Sequence, residues 1–263
     1  MSAAGTRSKS HLLQSALLAA IVIAAWEGAC RFFNISSLVL PTPSSIMVRL
    51  YALFSTGMIW PHLWATSVEI LTGFVLGVLA GLVIGAMISL IPIFERLIYP
   101  YLVALQTLPK VAIAPLFIIW FGYGLASKIV VTALVCFFPV LVSVIAGFHS
   151  TDKDQVDMMK AFGATKWQTL IRLRVPSALV LIFAGLEIAA VLAVIGAIVG
   201  EFVGAQVGLG YLIVTLNFGM DVPGVFAVLI VLSAIGLVMH GLMRFAARHY
   251  IFWIQRNDAP VTL

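Results

Sequence analysis

Charge is what this chain has least of. Asp, Glu, Lys and Arg make up 10% of its 263 residues, where a soluble globular domain carries about 25%, and that scarcity excludes an ordinary water-exposed domain. Signatures of catalysis are missing too. No GxxxxGK[ST] phosphate loop occurs, so this chain is not expected to bind and split ATP in that way. HExxH, CxxC and clustered histidines are absent; His11, His62, His149, His240 and His249 are scattered, mostly near the ends of apolar runs. A Ser/His membrane hydrolase would need a base beside a buried serine, and the intramembrane candidate, His240, reads better as a packing or interface residue. Cys30 and Cys136 stand in or beside different runs with no motif around them and read as small core residues. No cofactor or metal is expected.

Hydrocarbon fills the space that charge leaves. The chain is 62% hydrophobic with a mean hydropathy of +1.14. About twenty consecutive apolar residues span a bilayer, and six such runs centre on residues 12–30, 66–91, 97–120, 128–148, 177–204 and 222–247. The expected fold class is an all-α integral membrane protein: six transmembrane helices over residues 12–248, between tails at 1–11 and 249–263. Pro109, Lys110 and Pro115 interrupt the third run. The first follows Arg7 and Lys9 as a signal peptide would. Trp26 and Glu27 near its end, the lack of a small-residue cleavage site and the later runs mark it as a retained helix.

A net charge of +5 would suggest nucleic acid for a soluble protein; here its distribution matters more, and no nucleic-acid partner is expected. With the N-terminus in the cytoplasm, Arg7, Lys9, Arg96, Lys153, Lys160, Lys166, Arg172, Arg174, Arg244, Arg248 and Arg256 share one side. Arg31, Arg49 and Lys128 take the other, so the positive-inside rule places both termini in the cytoplasm. The longer polar stretches are then 31–63 outside and 149–176 inside. In the outer one, prolines favour an extended entry, and Ser44 or Ser45 is placed to cap a short helix over 45–55.

Gly73, Gly77, Gly81 and Gly85 recur on one face of the second run, a pattern that lets another backbone approach closely; a substrate path along that face is the alternative. Gly185, Ala189, Gly196, Gly200 and Gly204 repeat the tactic loosely in the fifth. The glycine-rich stretch from Gly200 to Tyr211 predicts a broken-helix or re-entrant turn. Ionisable residues within spans are costly and point to function. Glu27 and Glu69 lie near predicted ends, are expected to be structural, and could reach the interface. Glu187, about three turns into the fifth run, is expected to face the interior. Lys110 is expected mid-span, where it could pair with one of these acids. Lys110, Glu187, Glu201, Gly208 and Gly210 are the candidates for a translocation path or gate.

Residues 149–176 could sit in water. Asp152 and Asp154 precede Lys160, Lys166, Arg172 and Arg174, the order a helix dipole prefers. Gly163 divides the segment into two short helices, and Pro176 marks re-entry into the membrane in the first turn of a new helix. Asp157-Met158-Met159-Lys160-Ala161-Phe162-Gly163, followed by Leu173-Arg174-Val175-Pro176, resembles the cytoplasmic signature of binding-protein-dependent ABC importer permeases. That family writes Glu-Ala-Ala, three residues, Gly, nine residues, then Ile-x-Leu-Pro; here Asp157 replaces Glu, methionines replace the alanines, and Leu173 and Val175 are the aliphatic pair. "LPTPSSIMVRL", "TLPKVAIAPLFIIWFGYGLASKI", "GATKWQTLIRLRVPSAL" and "GEFVGAQVGLGYLI" are similar to the branch that imports sulfonates, taurine, nitrate and thiamine-pyrimidine precursors. The likeness covers about residues 38 to 253.

The resemblance implies a type I importer fold in the bacterial inner membrane, among membrane lipid. It implies a second permease subunit, expected to be a copy of this chain, a cytoplasmic ABC ATPase dimer that binds the ATP, and an external solute-binding protein. The coupling element would comprise Asp157 to Gly163 with Ala164, Thr165 and Lys166, and Pro176 beyond. Pro41 to Ser45 and Gly208-Leu209-Gly210 would be contact or gate elements. The cargo would be a small organic or inorganic anion or a thiamine-precursor-like pyrimidine. A proton- or ion-coupled secondary transporter and a membrane enzyme or scaffold stay open beside this reading.

Overall fold

A computed structural model describes residues 3–253; Arg256 and the rest of the expected C-terminal tail beyond 253 lie outside the described residues. In chain order the helices are α1 (Ala3–Phe32), α2 (Pro43–Ser55), α3 (Ile59–Leu90), α4 (Pro92–Gln106), α5 (Ala114–Phe121), α6 (Leu125–His149), α7 (Lys153–Ala161), α8 (Lys166–Thr169), α9 (Val175–Gly204), α10 (Leu209–Phe218) and α11 (Val222–Tyr250). Among the described residues, five helical stretches are long and apolar enough to cross a membrane, and a sixth if the bent pair formed by α4 and α5 is taken as one span.

That bent pair corrects the third predicted run. Instead of one straight helix over 97–120, the chain turns by 86° between α4 and the short 3-10 turn Lys110–Ile113 that leads into α5. Pro109, which lacks an N–H and fixes its φ, stands at the corner. Lys110 is therefore at a bend rather than mid-span, and no acid meets it among the described residues. Its Nζ donates to the Gln106 carbonyl at 3.1 Å and lies 4.7 Å from the centroid of the Phe138 ring.

The core is a sandwich in which α6 is gripped by α3 on one side and α9 on the other. The glycine ladder of α3 faces α6 rung by rung. A Cβ built on Gly73 would lie 2.5 Å from Thr132 Cβ, on Gly77 2.9 Å from Cys136 Cβ and hard against the Ala133 carbonyl, on Gly81 2.9 Å from Val140 Cβ, and on Gly85 2.8 Å from Val144 Cβ. From the other side, Gly185 abuts Ser143, and Gly196 abuts the Thr132 backbone. Backbones this close gain dispersion contacts that substitute for the hydrophobic drive a lipid solvent cannot supply. The ladder is a packing device, as its spacing suggests.

Two more local features depart from expectation. The cap of α2 is Thr42, whose hydroxyl accepts from Ser45 N–H at 3.2 Å, not Ser44 or Ser45. Glu27 supports the same turn from α1, accepting from Ser44 N–H at 3.0 Å while pairing with Arg31. Pro176 does lie in the first turn of α9, as expected, but α9 is not set apart from α8. The helix is continuous from Lys166 to Gly204, and the proline is accommodated by a π turn at Leu170–Arg174, where Val175 N–H reaches back to the Leu170 carbonyl.

Gly77→Val forces a branched side chain against the α6 backbone and should cost about 1 to 3 kcal/mol or more. It is expected to lower the thermal midpoint in detergent, whereas Gly28→Ala, whose new Cβ meets nothing within 4 Å, should not.

Candidate functional site

At one end of the bundle, α7 and α8 form a compact helix-turn-helix whose every bend has a local cause. Asp152 caps α7 by accepting from Asp154 N–H at 2.9 Å. The helix closes in a Schellman arrangement: Gly163 N–H donates to the Lys160 carbonyl at 2.9 Å and Ala164 N–H to that of Met159 at 3.0 Å. Gly163 has φ +75°, left-handed backbone that an L side chain resists. Thr165 and Gln168 then make a reciprocal capping box that starts α8. Asp157 and Lys160 pair at 2.7 Å along the exposed face. Met158, Phe162 and Trp167 are apolar side chains left exposed here, Phe162 to 82%; Ala161 is exposed as well, and Met159 and Ala164 are half-buried. The sequence-predicted residues from Asp157 to Lys166 therefore form one continuous surface.

At the opposite end, the sequence candidates divide. Glu201, Gly208 and Gly210 come together; Lys110 and Glu187 do not join them. Glu187 is half-buried on α9 and forms no ion pair among the described residues. Glu201, 2% exposed on α9, accepts hydrogen bonds from the Thr66 hydroxyl and from Gly210 N–H. Thr66 also receives Leu209 N–H at 2.7 Å, and Gly208 N–H donates to His62 Nδ1 at 3.1 Å. The first turn of α10 thus aims its free N–H groups at a carboxylate and its neighbours, the arrangement the helix dipole favours. Gly208, at φ +137°, is required twice over: a Cβ there would also collide with the Glu201 carboxyl.

Beside Glu201 lies a charged pair that sequence reasoning misplaced. Glu69 does not reach an interface; it is fully buried, and Lys128, read as an outer-loop charge, is 5% exposed with its Nζ 3.4 Å from Glu69 Oε1. Neither Glu69 oxygen has a hydrogen-bond partner among the described residues. The two residues sit at the floor of a cavity of about 520 Å³, between α3, the start of α6 and the α9–α10 turn. Trp64 and Tyr123, 74% and 71% exposed, stand at its rim. A signal for the pair was present: Glu69 is one four-residue step before Gly73, and Lys128 one step before Thr132, the residue Gly73 touches.

The fold is a glycine-packed membrane bundle with a capped polar turn at one end and buried charges at the other. Residues 73–251 match the family described as "Binding-protein-dependent transport system inner membrane component", and the chain belongs to that family. Among its relatives is the formylaminopyrimidine transport permease protein ThiX of Halalkalibacterium halodurans, 39% identical and covering 86% of this chain and 90% of that one. The riboflavin transport system permease protein RibX of Chloroflexus aurantiacus is 34% identical, with 89% and 87% covered. In fold, the chain is similar to a permease of the inward-facing MetNI methionine ABC transporter, with TM-score 0.58 and 18% identity over 76% of this chain and 99% of that one. It is a multi-pass inner-membrane permease subunit with the type I importer fold, not an enzyme; ATP hydrolysis falls to a separate subunit.

Because a buried charge stripped of its partner is costly, Lys128→Met should lower stability by about 3 to 5 kcal/mol. Adding Glu69→Leu should restore most of the loss in a thermal-melt double-mutant cycle; no recovery would show that the two groups are not energetically coupled.

Proposed function

We propose that this subunit pairs with a second copy of itself, docks its α7–α8 turn on a cytoplasmic ABC ATPase dimer, and imports a small pyrimidine-like heterocycle delivered by an external solute-binding protein. The observation that carries the docking is the α7–α8 turn itself, with Met158, Phe162 and Trp167 exposed beside charged residues and its second helix running unbroken into the membrane. Apolar anchors ringed by polar groups are what a protein interface uses. ATP-driven closure of the ATPase pair would move this turn and shift the bundle between its inward-open and outward-open packings.

The charge pattern supports the orientation. Tyr250 at the end of α11 stacks on Phe183 near the start of α9, so Arg244 and Arg248 belong to the same end as Lys160, Lys166, Arg172 and Arg174. Such a basic end is cytoplasmic by the positive-inside rule, which places both termini there. The α2 segment and the α9–α10 turn would then face outward, toward the binding protein.

The cargo reading rests on two supports. The relative named for a formylaminopyrimidine is 39% identical, and the buried cation Lys128 is already opposed by Glu69, which leaves little to attract an anion such as a sulfonate. Gly163→Pro cannot adopt the φ that the turn requires. It should abolish import into cells or proteoliposomes while the protein inserts in the membrane at its usual level. Unchanged import would mean that this turn does not couple ATP to transport.

A further inference from the structure

Most of the charge-bearing polar groups in the bundle have an evident structural role. Glu27 holds the α2 turn, Glu201 the start of α10, and Asp221 the start of α11. Glu69 has none. Its carboxylate is fully buried, both oxygens lack a hydrogen-bond partner, and the nearby cation is held at 3.4 Å without hydrogen-bonding geometry. An acceptor this poorly satisfied is expensive to bury. It lies at the floor of the 520 Å³ cavity, a volume in the range of small-ligand sites. The floor therefore sets donor beside acceptor: the ammonium hydrogens of Lys128 and, just beneath the surface, the buried carboxylate of Glu69. At the rim are two aromatic rings, Trp64 and Tyr123, and the amide of Gln206 contributes to the lining. The Tyr123 ring is located by Gly204, whose built Cβ would lie 3.0 Å from it.

We infer that this cavity is a binding site within the single subunit for a planar nitrogen heterocycle carrying an amino group next to a ring nitrogen. The ring nitrogen accepts from Lys128, the amino group donates to Glu69, and the ring face packs against Trp64 and Tyr123. A paired floor of this kind suits a neutral edge with both donor and acceptor and offers a simple anion a carboxylate as well as a cation. The binding protein would then not be the sole source of selectivity. The inference deepens the pyrimidine reading of the cargo and rests on it.

The experiment uses the permease with its ATPase partner in lipid nanodiscs, without binding protein, and follows Trp fluorescence and calorimetric binding. Probes are 4-amino-2-methylpyrimidine, 2,4-dimethylpyrimidine, which lacks the amino donor, and taurine. The aminopyrimidine should bind saturably, and removal of its donor, or of the acceptor's charge in Glu69→Gln, should weaken binding by about tenfold or more, the scale of a hydrogen bond to a charged group. Gly124→Leu provides a variant that should fold normally. Gly124 lines the cavity, its backbone is extended, and a Cβ there meets nothing within 4 Å, so the added side chain fills the site and should abolish binding. Aminopyrimidine binding unaffected by both Gly124→Leu and Trp64→Ala would overturn the site. Import of the pyrimidine with an unaltered KM in those variants would overturn it too, while leaving the cargo reading intact. Binding and import of taurine but of neither pyrimidine would sink the cargo reading, and the site with it.

Discussion

Everything in this bundle depends on the register between two rows of side chains. On α3 the row runs Glu69, Gly73, Gly77, Gly81, Gly85; on α6 it runs Lys128, Thr132, Cys136, Val140, Val144. Each advances four residues at a time, and each residue of one row meets its counterpart in the other, from the ion pair at one end to Gly85 against Val144 at the other. Four glycines alone would let the helices slide by a rung with little penalty, since one gap resembles the next. The charged rung removes that freedom, because any slip leaves Glu69 and Lys128 buried and apart. Buried ion pairs contribute little net stability compared with apolar groups of similar size; what this one supplies is a fixed alignment.

The same alignment explains the far side of α6. Thr132 is touched by Gly73 from α3 and by Gly196 from α9, and Lys128 lies against Gly200 on the residue before Glu201. Cys136 sits between Gly77 and the Ala189 carbonyl, to which its thiol donates at 3.4 Å. One helix row is thus packed from both directions, and small residues are demanded on each flank. The polar end follows: with α3 and α9 fixed on α6, Thr66 and Glu201 converge on the first turn of α10 and hold it without any side-chain cap of its own.

Much of this was legible in the sequence where the cause is local. The polar turn announces itself through Asp152, Gly163 and Thr165, since caps and positive-φ turns are decided by a few neighbouring residues. The glycine ladder announces close packing by its spacing. The errors arise where a residue's solvent is set by a distant partner. Lys128 looks like an outer-loop charge because it lies near the start of an apolar run, and only its match with Glu69 shows that it is inside. Glu187, deep in a span, is half-buried in the single subunit, because depth along a helix does not determine how much of a side chain its neighbours cover. The 86° corner at Pro109 was marked by its prolines, although their positions do not specify an angle.

The π turn at Leu170–Arg174 has a mechanical meaning. A proline at position 176 would ordinarily interrupt the helix or leave a flexible joint, and a joint there would absorb displacement as a slack hinge does. By widening one turn, the chain keeps a single rod from Lys166 to Gly204, 39 residues and about 58 Å long at the usual helical rise. One end of that rod is capped by Thr165, two residues from Gly163; near the other is Glu201, which anchors α10 beside the cavity. The two ends are thus joined by continuous helical backbone with no intervening loop, and the π turn and Pro176, both close to the first end, are the places where that backbone can bend.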